Sequence, residues 1–343
     1  MDNFTDILTQ AAEKEGFTGI GATSAQDDAD IFPLKKWAES GYHAGMGYME
    51  RNMDIRRSPS LLLDGARSLY VFTIPYPRFL KGASGEKYAG FALGKDYHLV
   101  IKEKLRRIAE KTFPEDRYRV FCDSAPIMER YWAEKCELGF IGKNNFLISC
   151  SSGARVLIGI IISTRALEDR EMAAIKEWNA THAAINADMA YDLCSRCDLC
   201  LKACPNGALK GRGMLDASRC ISYNTIESKT HIPDLLDTHG WIIGCEECLL
   251  ACPYEVLPAM QSAGPKDNSL CSTGNAAVIG ASGTDPSFSC NTGLLSGTGA
   301  EGWIEMDKAA FKKSFKGTAF ERPGLGKIKS NVEKYIKDYL QTH

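Results

Sequence analysis

The 343-residue sequence has no apolar run long enough to cross a bilayer. Its most apolar stretch, Val156 to Ser163, falls far short of the roughly 20 residues a spanning helix needs. The first residues, Met1 to Gly16, are amphipathic and carry Asp2, Asp6, Glu13 and Glu15. They lack a basic n-region, a twin arginine and an apolar h-region, so no export signal and a cytoplasmic, membrane-free location are expected. Neither a Walker P-loop nor a G-x-G-x-x-G after a strand candidate is present, and Gly19-x-Gly21 reads as a strand-end turn. A nucleotide-bound flavin or nicotinamide site is therefore unsupported. Net charge is also small, −2, which excludes a uniformly basic coat for nucleic acid though not a local patch. At 44% hydrophobic and 24% charged residues the chain can bury a substantial core, in two domains or one with a large appendage.

Helical and strand-like patterns alternate in the first half. Asn3 to Glu15 reads as a helix, Thr18 to Thr23 and Ser68 to Ile74 as strands, and Pro33 to Ser40 and Met46 to Asn52 as short helices. Tyr97 to Thr112 is an amphipathic helix with Leu99, Ile101, Leu105 and Ile108 expected inward and Lys102, Lys104, Arg106 and Arg107 outward. Arg119 to Cys122 and Ala154 to Ser163 are strand candidates, and Ile127 to Leu138 is a helix. The alternation implies an α/β layer fold over 1–180. The 181–262 stretch changes to short helices and cysteine-rich loops. Ala263 to Gly302, with eight glycines and six serines, is expected to be a flexible insertion. The final stretch, 303–343, is a basic helical tail: from Lys308 onward its net charge is +6, leaving −8 on the remainder.

Cysteine is what the sequence has in plenty. An odd number, 13, without an export signal argues for metal or catalytic chemistry over a disulfide framework. Cys194-x2-Cys197-x2-Cys200-x3-Cys204-Pro205 has the bacterial-ferredoxin spacing for [4Fe–4S] clusters, and Cys245-x2-Cys248-x3-Cys252-Pro253 repeats it in part, with Cys220 upstream. The crossing pattern assigns Cys194, Cys197, Cys200 and Cys252 to one cluster and Cys204, Cys220, Cys245 and Cys248 to the other. Structural zinc is the alternative for paired CxxC motifs, but it explains neither the three-cysteine run nor the proline after each last cysteine. Two clusters relay single electrons without defining a reaction.

Further motifs surround this region: Ile55-Arg56-Arg57-Ser58-Pro59, Gly65-Ala66-Arg67-Ser68, Leu93-Gly94-Lys95-Asp96-Tyr97-His98, Asp123-Ser124-Ala125-Pro126-Ile127-Met128-Glu129-Arg130, and Glu137-Leu138-Gly139-Phe140-Ile141-Gly142-Lys143-Asn144. With Cys220-Ile221-Ser222-Tyr223 between the cluster motifs, this ordered string resembles the cobalamin-dependent tRNA epoxyqueuosine reductases, roughly from Phe4 to Tyr254. The resemblance implies an α/β cobalamin-binding domain, a ferredoxin-like domain with two [4Fe–4S] clusters and a short basic helical C-terminal segment. It implies reduction of epoxyqueuosine to queuosine at the tRNA wobble position. Electrons would pass from an external low-potential donor through both clusters to base-off cobalamin.

By the same resemblance Asp123 is the proton donor, Arg56 lies near the cofactor, and Ser222, Tyr223 and Asn224 meet the cofactor or shield a cluster. By residue type alone, Asp123 is a helix N-cap, Arg56 a solvated arginine, and Ser222 to Asn224 a turn after a ligand cysteine. Tyr97 reads as core packing. The D-x-H-x-x-G motif that places a histidine on cobalt fails at Asp237-x-His239, so no protein histidine ligand is expected, and His239 is structural. Lys312, Lys313, Lys316, Lys327 and Lys329 are candidate tRNA phosphate contacts, and Lys102, Lys104, Arg106 and Arg107 are a second basic face. The glycine-rich insertion with Cys271 and Cys290, and the absence of a helical-repeat extension, depart from the family pattern. Two other readings stand beside this one. A reductive dehalogenase relative would carry a twin-arginine signal and a Tyr acid. A two-cluster electron carrier leaves about 190 residues of α/β domain unexplained. A monomer is expected.

Overall fold

Ser68–Pro75 and Val156–Ser163 are apolar at successive positions, so both faces of each strand need cover. The computed structural model, which describes residues 3–255 and 284–340, supplies it. Its first domain runs through α1 (Asn3–Lys14), β1 (Gly19–Ser24), α2 (Phe32–Glu39), α3 (Met53–Arg57), β2 (Ser68–Pro75), β3 (Leu80–Lys81) and β4 (Lys87–Tyr88). It continues through α4 (Tyr97–Thr112), β5 (Tyr118–Phe121), α5 (Glu129–Lys135), β6 (Gly139–Ile141), β7 (Leu147–Ser149), β8 (Val156–Ser163) and α6 (Asp169–His182). The main sheet has the order β1-β2-β8-β5, with antiparallel pairing throughout. Strands β2 and β8 pair along their whole length, Ser68 opposite Ser163 and Pro75 opposite Val156.

Side-chain alternation then divides the core. Tyr70, Phe72 and Ile161 pack with Leu8, Ile101, Leu105 and Ile108 of α1 and α4. Leu69, Val71, Ile160 and Ile162 face the opposite way, onto Trp132, Ala133 and Leu138. Gly159 lets α4 settle on the sheet: a Cβ there would come within 2.7 Å of Ile101 and 2.8 Å of Leu105. The inward face of α4 differs from expectation. Leu99 is 57% exposed and Val100 is buried in its place. Lys104 is buried instead of outward, its ammonium donating to the Glu15 carbonyl at 2.7 Å and pairing with Asp285 at 2.6 Å. An amine inside a protein needs such partners, and these come from distant chain that periodicity cannot see.

The cysteine-rich segment contains α7 (Ala187–Arg196), α8 (Leu199–Ala203), the hairpin β9 (Leu209–Gly211) and β10 (Met214–Leu215), β11 (Trp241–Ile243) and α9 (Glu247–Leu250). Strand β11 pairs parallel with β4 of the first domain, which joins the two segments by backbone hydrogen bonds. After it come α10 (Thr292–Glu305), α11 (Lys308–Phe315) and α12 (Gly324–Tyr335). Residues 284–302 therefore correct the flexible insertion expected there. Phe288 and Leu295 are buried, and α10 carries Trp303 into a core with Phe315, Phe320, Ile328 and Val332 that packs on Leu80, Tyr88, Ile242 and Ile243. The low apolar content was misleading because a few large residues do the packing. The rest of that expected insertion, 263–283 with Cys271, lies outside the described residues.

A buried ionic junction holds the cysteine-rich segment to the first domain. Arg155 donates from Nε to Glu255 at 2.7 Å and from Nη2 to Glu246 at 2.6 Å, and all three side chains are at most 6% exposed. Arg78 adds a second donor to Glu255, and Glu246 also accepts from the Gly90 amide at 2.7 Å. Removing Arg155 leaves Glu246 buried without its counter-charge and Glu255 with Arg78 alone. Arg155→Ala should cost about 3–5 kcal/mol, the usual loss on breaking a buried pair. Urea unfolding checks this, and a loss under about 1 kcal/mol would show that the junction carries little.

Candidate active site and cluster cavities

Asp123 follows β5 in a left-handed backbone conformation, φ +48°, which a non-glycine residue adopts at a cost and which often marks functional loops. It is not a helix cap: α5 begins at Glu129 with Met128 before it. The Asp123 amide instead donates to Glu129 Oε1 at 2.9 Å. The Asp123 carboxyl accepts from the Tyr97 hydroxyl at 2.5 Å, and His98 Nε2 lies 3.6 Å from the same oxygen. His98 Nδ1 in turn meets Asp96 at 2.6 Å, and Asp96 caps α4 by accepting from the His98 amide. Tyr97, expected as core packing, is thus part of the site. The sequence marks both it and His98 only as members of the motif Leu93 to His98 and as residues in the first turn of a helix, and assigns neither a role at the site.

Asp123 lies deep in the protein mass, yet its carboxyl stays open to solvent. Burial would raise its pKa, but hydrogen bonds from His98 and Tyr97 outweigh that and hold it below the ordinary carboxylate value. The same pairing raises His98: burial opposes the charge, and bonds to Asp123 and Asp96 overcome it, to about 9. Glu129 moves the other way, pushed up to about 7 by burial and by Asp123.

The walls around Asp123 come from three parts of the chain. Burial raises the phenol of Tyr48, and the charges of Glu227, Arg322, Asp123 and Arg56 also act on it. Arg322, which follows α11, makes a two-pronged pair with Glu227 at 3.0 and 2.7 Å. Gly94 lies so close to Ser287 that a Cβ would approach its carbonyl oxygen to 2.2 Å, and the Asp96 amide donates to Gly317 at 2.8 Å. Arg56 is buried, and its donors reach the carbonyls of Arg51 and Tyr48, both at 3.2 Å, so it shapes that wall from behind. Ser222 and Tyr223 start the turn Tyr223–Glu227, and the Tyr223 hydroxyl accepts from the Gly45 amide at 2.9 Å. Asn224 is turned inward, its amide bonded to the carbonyls of Ser218 and Cys220, where it steadies the Cys220 loop.

The eight cysteines form two groups. Cys194, Cys197, Cys200 and Cys252 line one cavity of about 220 Å³ together with Lys143, Asn144, Ile148, Leu193, Pro253 and Tyr254. Cys248 feels Cys220, Cys204 and then Cys200, while Cys245 feels Cys248 and Cys220, so the other four face one another and meet the first group at Cys200. Among the described residues, no three His, Cys, Asp or Glu side chains converge closely enough to hold a single metal ion; the thiols surround space instead. Burial pushes the Cys245 and Cys248 thiols well up, and neighbouring thiolates push them further. A cationic iron core is what would stabilise thiolates held this close together. The turn Tyr223–Glu227 begins three residues after Cys220 and carries Glu227, which pairs with Arg322.

Known proteins agree with this layout. Residues 193–255 match the family described as "4Fe-4S double cluster binding domain", and residues 56–124 match "Epoxyqueuosine reductase QueG, DUF1730". An epoxyqueuosine reductase of Leadbetterella byssophila is 32% identical over 346 residues, covering 98% of this chain and 100% of the relative. The chain belongs to the epoxyqueuosine reductase family. A second relative, from Cyclobacterium marinum, is 35% identical over 266 residues, 74% of this chain and 80% of its own. The fold matches a crystal structure of epoxyqueuosine reductase with an epoxyqueuosine-modified tRNA-Tyr stem loop, at a TM-score of 0.75 and 24% identity, over 96% of this chain and 80% of that one. The Bacillus subtilis enzyme, solved with a catalytic loop swung out of its active site, matches at 0.73 and 24%, again over 96% and 80%.

For a family member with a double-cluster segment, the crossed grouping has a direct consequence. Cys252→Ala should remove roughly half of the reconstituted iron and leave the quartet of Cys204, Cys220, Cys245 and Cys248 loaded. Iron and sulfide analysis with electron paramagnetic resonance checks it; loss of both clusters in equal part would argue against the grouping.

Proposed function

We propose that this chain removes the epoxide oxygen of epoxyqueuosine at the wobble position of tRNA, giving queuosine, with Asp123 delivering a proton to the opened oxygen. The overall reaction takes two electrons and two protons and releases the oxygen as water. The observation that carries this reading is the run of hydrogen bonds from Asp96 through His98 to an open Asp123 carboxyl that Tyr97 also holds. Opening an epoxide leaves an alkoxide, and that oxygen needs a proton at a fixed place.

Asp123 rests ionised, so it must first gain the proton it gives. The imidazolium of His98, 3.6 Å away and stable to about 9, is the store, and Asp96 stabilises it from behind. Tyr97 fixes the carboxyl's direction. Glu129 holds the Asp123 backbone, which keeps the loop under the substrate space.

The family implies cobalamin, and the chemistry it would supply when bound is low-valent cobalt able to reduce the epoxide. The residues that would hold it are Ser222 and Tyr223 on the turn after Cys220, the buried Arg56, and the Arg322–Glu227 pair. His98 has both ring nitrogens engaged by carboxylates, so it has no lone pair to offer a metal, which agrees with cobalamin that takes no histidine from the protein. An external one-electron donor would load the cluster of Cys194, Cys197, Cys200 and Cys252 first, and that of Cys204, Cys220, Cys245 and Cys248 would pass the electron on.

The RNA grip follows from which lysines have spare charge. Lys327 donates to Thr230 and Lys329 to Ile304, so both are used within the protein. Lys312, Lys313 and Lys316 are exposed on α11 and just after it, and the Asp96–Gly317 backbone bond brings Lys316 beside Lys95 at the edge of the site. Phosphates flanking a base splayed from the anticodon loop would lie here.

Asp123→Asn should lower turnover by about 10²–10⁴-fold with iron content unchanged, read by mass spectrometry of wobble nucleosides after incubation with modified tRNA, cobalamin and a low-potential reductant. Turnover at the wild-type level would remove its role. The protonated form of His98 is present below its raised pKa and lost above it, so activity should fall as pH rises through about 9, and His98→Gln should abolish that limb. Replacing Lys312, Lys313 and Lys316 by Ala should weaken tRNA binding and reduce its log–log salt slope by about 0.7 for each phosphate that is no longer neutralised. Lys327→Ala and Lys329→Ala should leave that slope alone.

A further inference from the structure

Asn144 belongs to the tight turn between β6 and β7, closed by the Gly142 amide on Phe146 and the Asn145 amide on Gly142, both at 2.9 Å. Its side chain is 4% exposed. The Phe146 amide donates to its Oδ1 at 3.2 Å, which fixes the amide group's orientation and directs Nδ2 the other way. Nδ2 is buried and has no hydrogen-bond partner in the protein, and Asn144 lines the cavity of Cys194, Cys197, Cys200 and Cys252. A buried N–H group without an acceptor is unfavourable and calls for an occupant that supplies one. Beside it Lys143 is engaged by Asp198 at 2.7 Å, so the neutral amide is the free donor at this wall.

We propose that Asn144 donates a hydrogen bond from Nδ2 to a sulfur of the cluster held by Cys194, Cys197, Cys200 and Cys252, and so raises that cluster's reduction potential. The inference rests on the reading that this quartet holds a [4Fe–4S] cluster. Sulfur gains electron density when a cluster takes up an electron, so a donor aimed at it stabilises the reduced form more than the oxidised one. The donor comes from the first domain, whereas all four ligands come from the cysteine-rich segment. The domain that carries Asp123 thereby sets how readily the cluster accepts an electron.

The test uses full-length protein with both clusters reconstituted anaerobically. Asn144→Leu removes the donor and keeps water out; Asn144→Asp removes the donor and keeps the acceptor for the Phe146 amide. In both, potentiometric titration followed by electron paramagnetic resonance should show one cluster shifted to lower potential and the other unmoved, with the Cys252→Ala protein identifying which is which. Wild-type protein in deuterated buffer should show one exchangeable deuteron coupling more than Asn144→Leu, beyond those from backbone amides such as Tyr254 on Cys252. Unchanged potentials in loaded variants, equal shifts of both clusters, or identical deuteron couplings in wild type and Asn144→Leu would each overturn the inference. Wild-type protein that never takes up iron at this quartet would instead overturn the cluster reading beneath it.

Discussion

Arg155 pairs inside the protein with both Glu246 and Glu255, and Arg78 shares Glu255. Charges are expensive to bury, and this arrangement is tolerable because each oxygen contact is short and because Gly90 and Arg78 take up remaining acceptor capacity. Glu246 lies between Cys245 and Cys248, and Glu255 lies just beyond Cys252. The junction therefore fixes both ends of the second cysteine motif against the segment that leads into β8. Both thiol groups draw a cysteine from that motif, so this junction helps set where they sit.

Around this junction the three segments interleave. Strand β11 extends a first-domain hairpin, Asn331 of α12 bonds the carbonyls of Thr225 and Ile242 at 2.9 Å, and Trp303 donates to Tyr88 at 2.7 Å. Domain boundaries drawn along the chain describe composition well and packing poorly. The basic C-terminal segment is half of a hydrophobic core whose other half is β3, β4 and β11. Its free lysines are what remains after that core and several internal bonds have been made.

What the sequence made legible shares a physical trait: it is local. Cysteine spacing is dictated by the size of an iron–sulfur cube, so the double-cluster segment over 193–255 could be read directly. Helix α4 begins and ends where its periodicity says it should. Asp123 was readable through its ordered motif, although its left-handed backbone and its ionised state were not. Illegible features depend on distant partners. Lys104 looked like surface until Asp285 and Glu15 closed over it. Tyr97 looked like core until the turn after β5 brought Asp123 to its hydroxyl. Strand order β1-β2-β8-β5 joins residues far apart in sequence, and apolar runs carry no mark of their neighbours.

The contacts of Gly94 and Asp96 with Ser287 and Gly317 bear on how the protein is made. Synthesis proceeds from the N-terminus, and long-range contacts form only once both partners exist. The eight motif cysteines emerge before Asp285, Ser287 and Gly317 do. The turn that presents His98 and Tyr97 to Asp123 stays unsupported until then, so this corner of the fold is completed only once the last stretch of chain has been made.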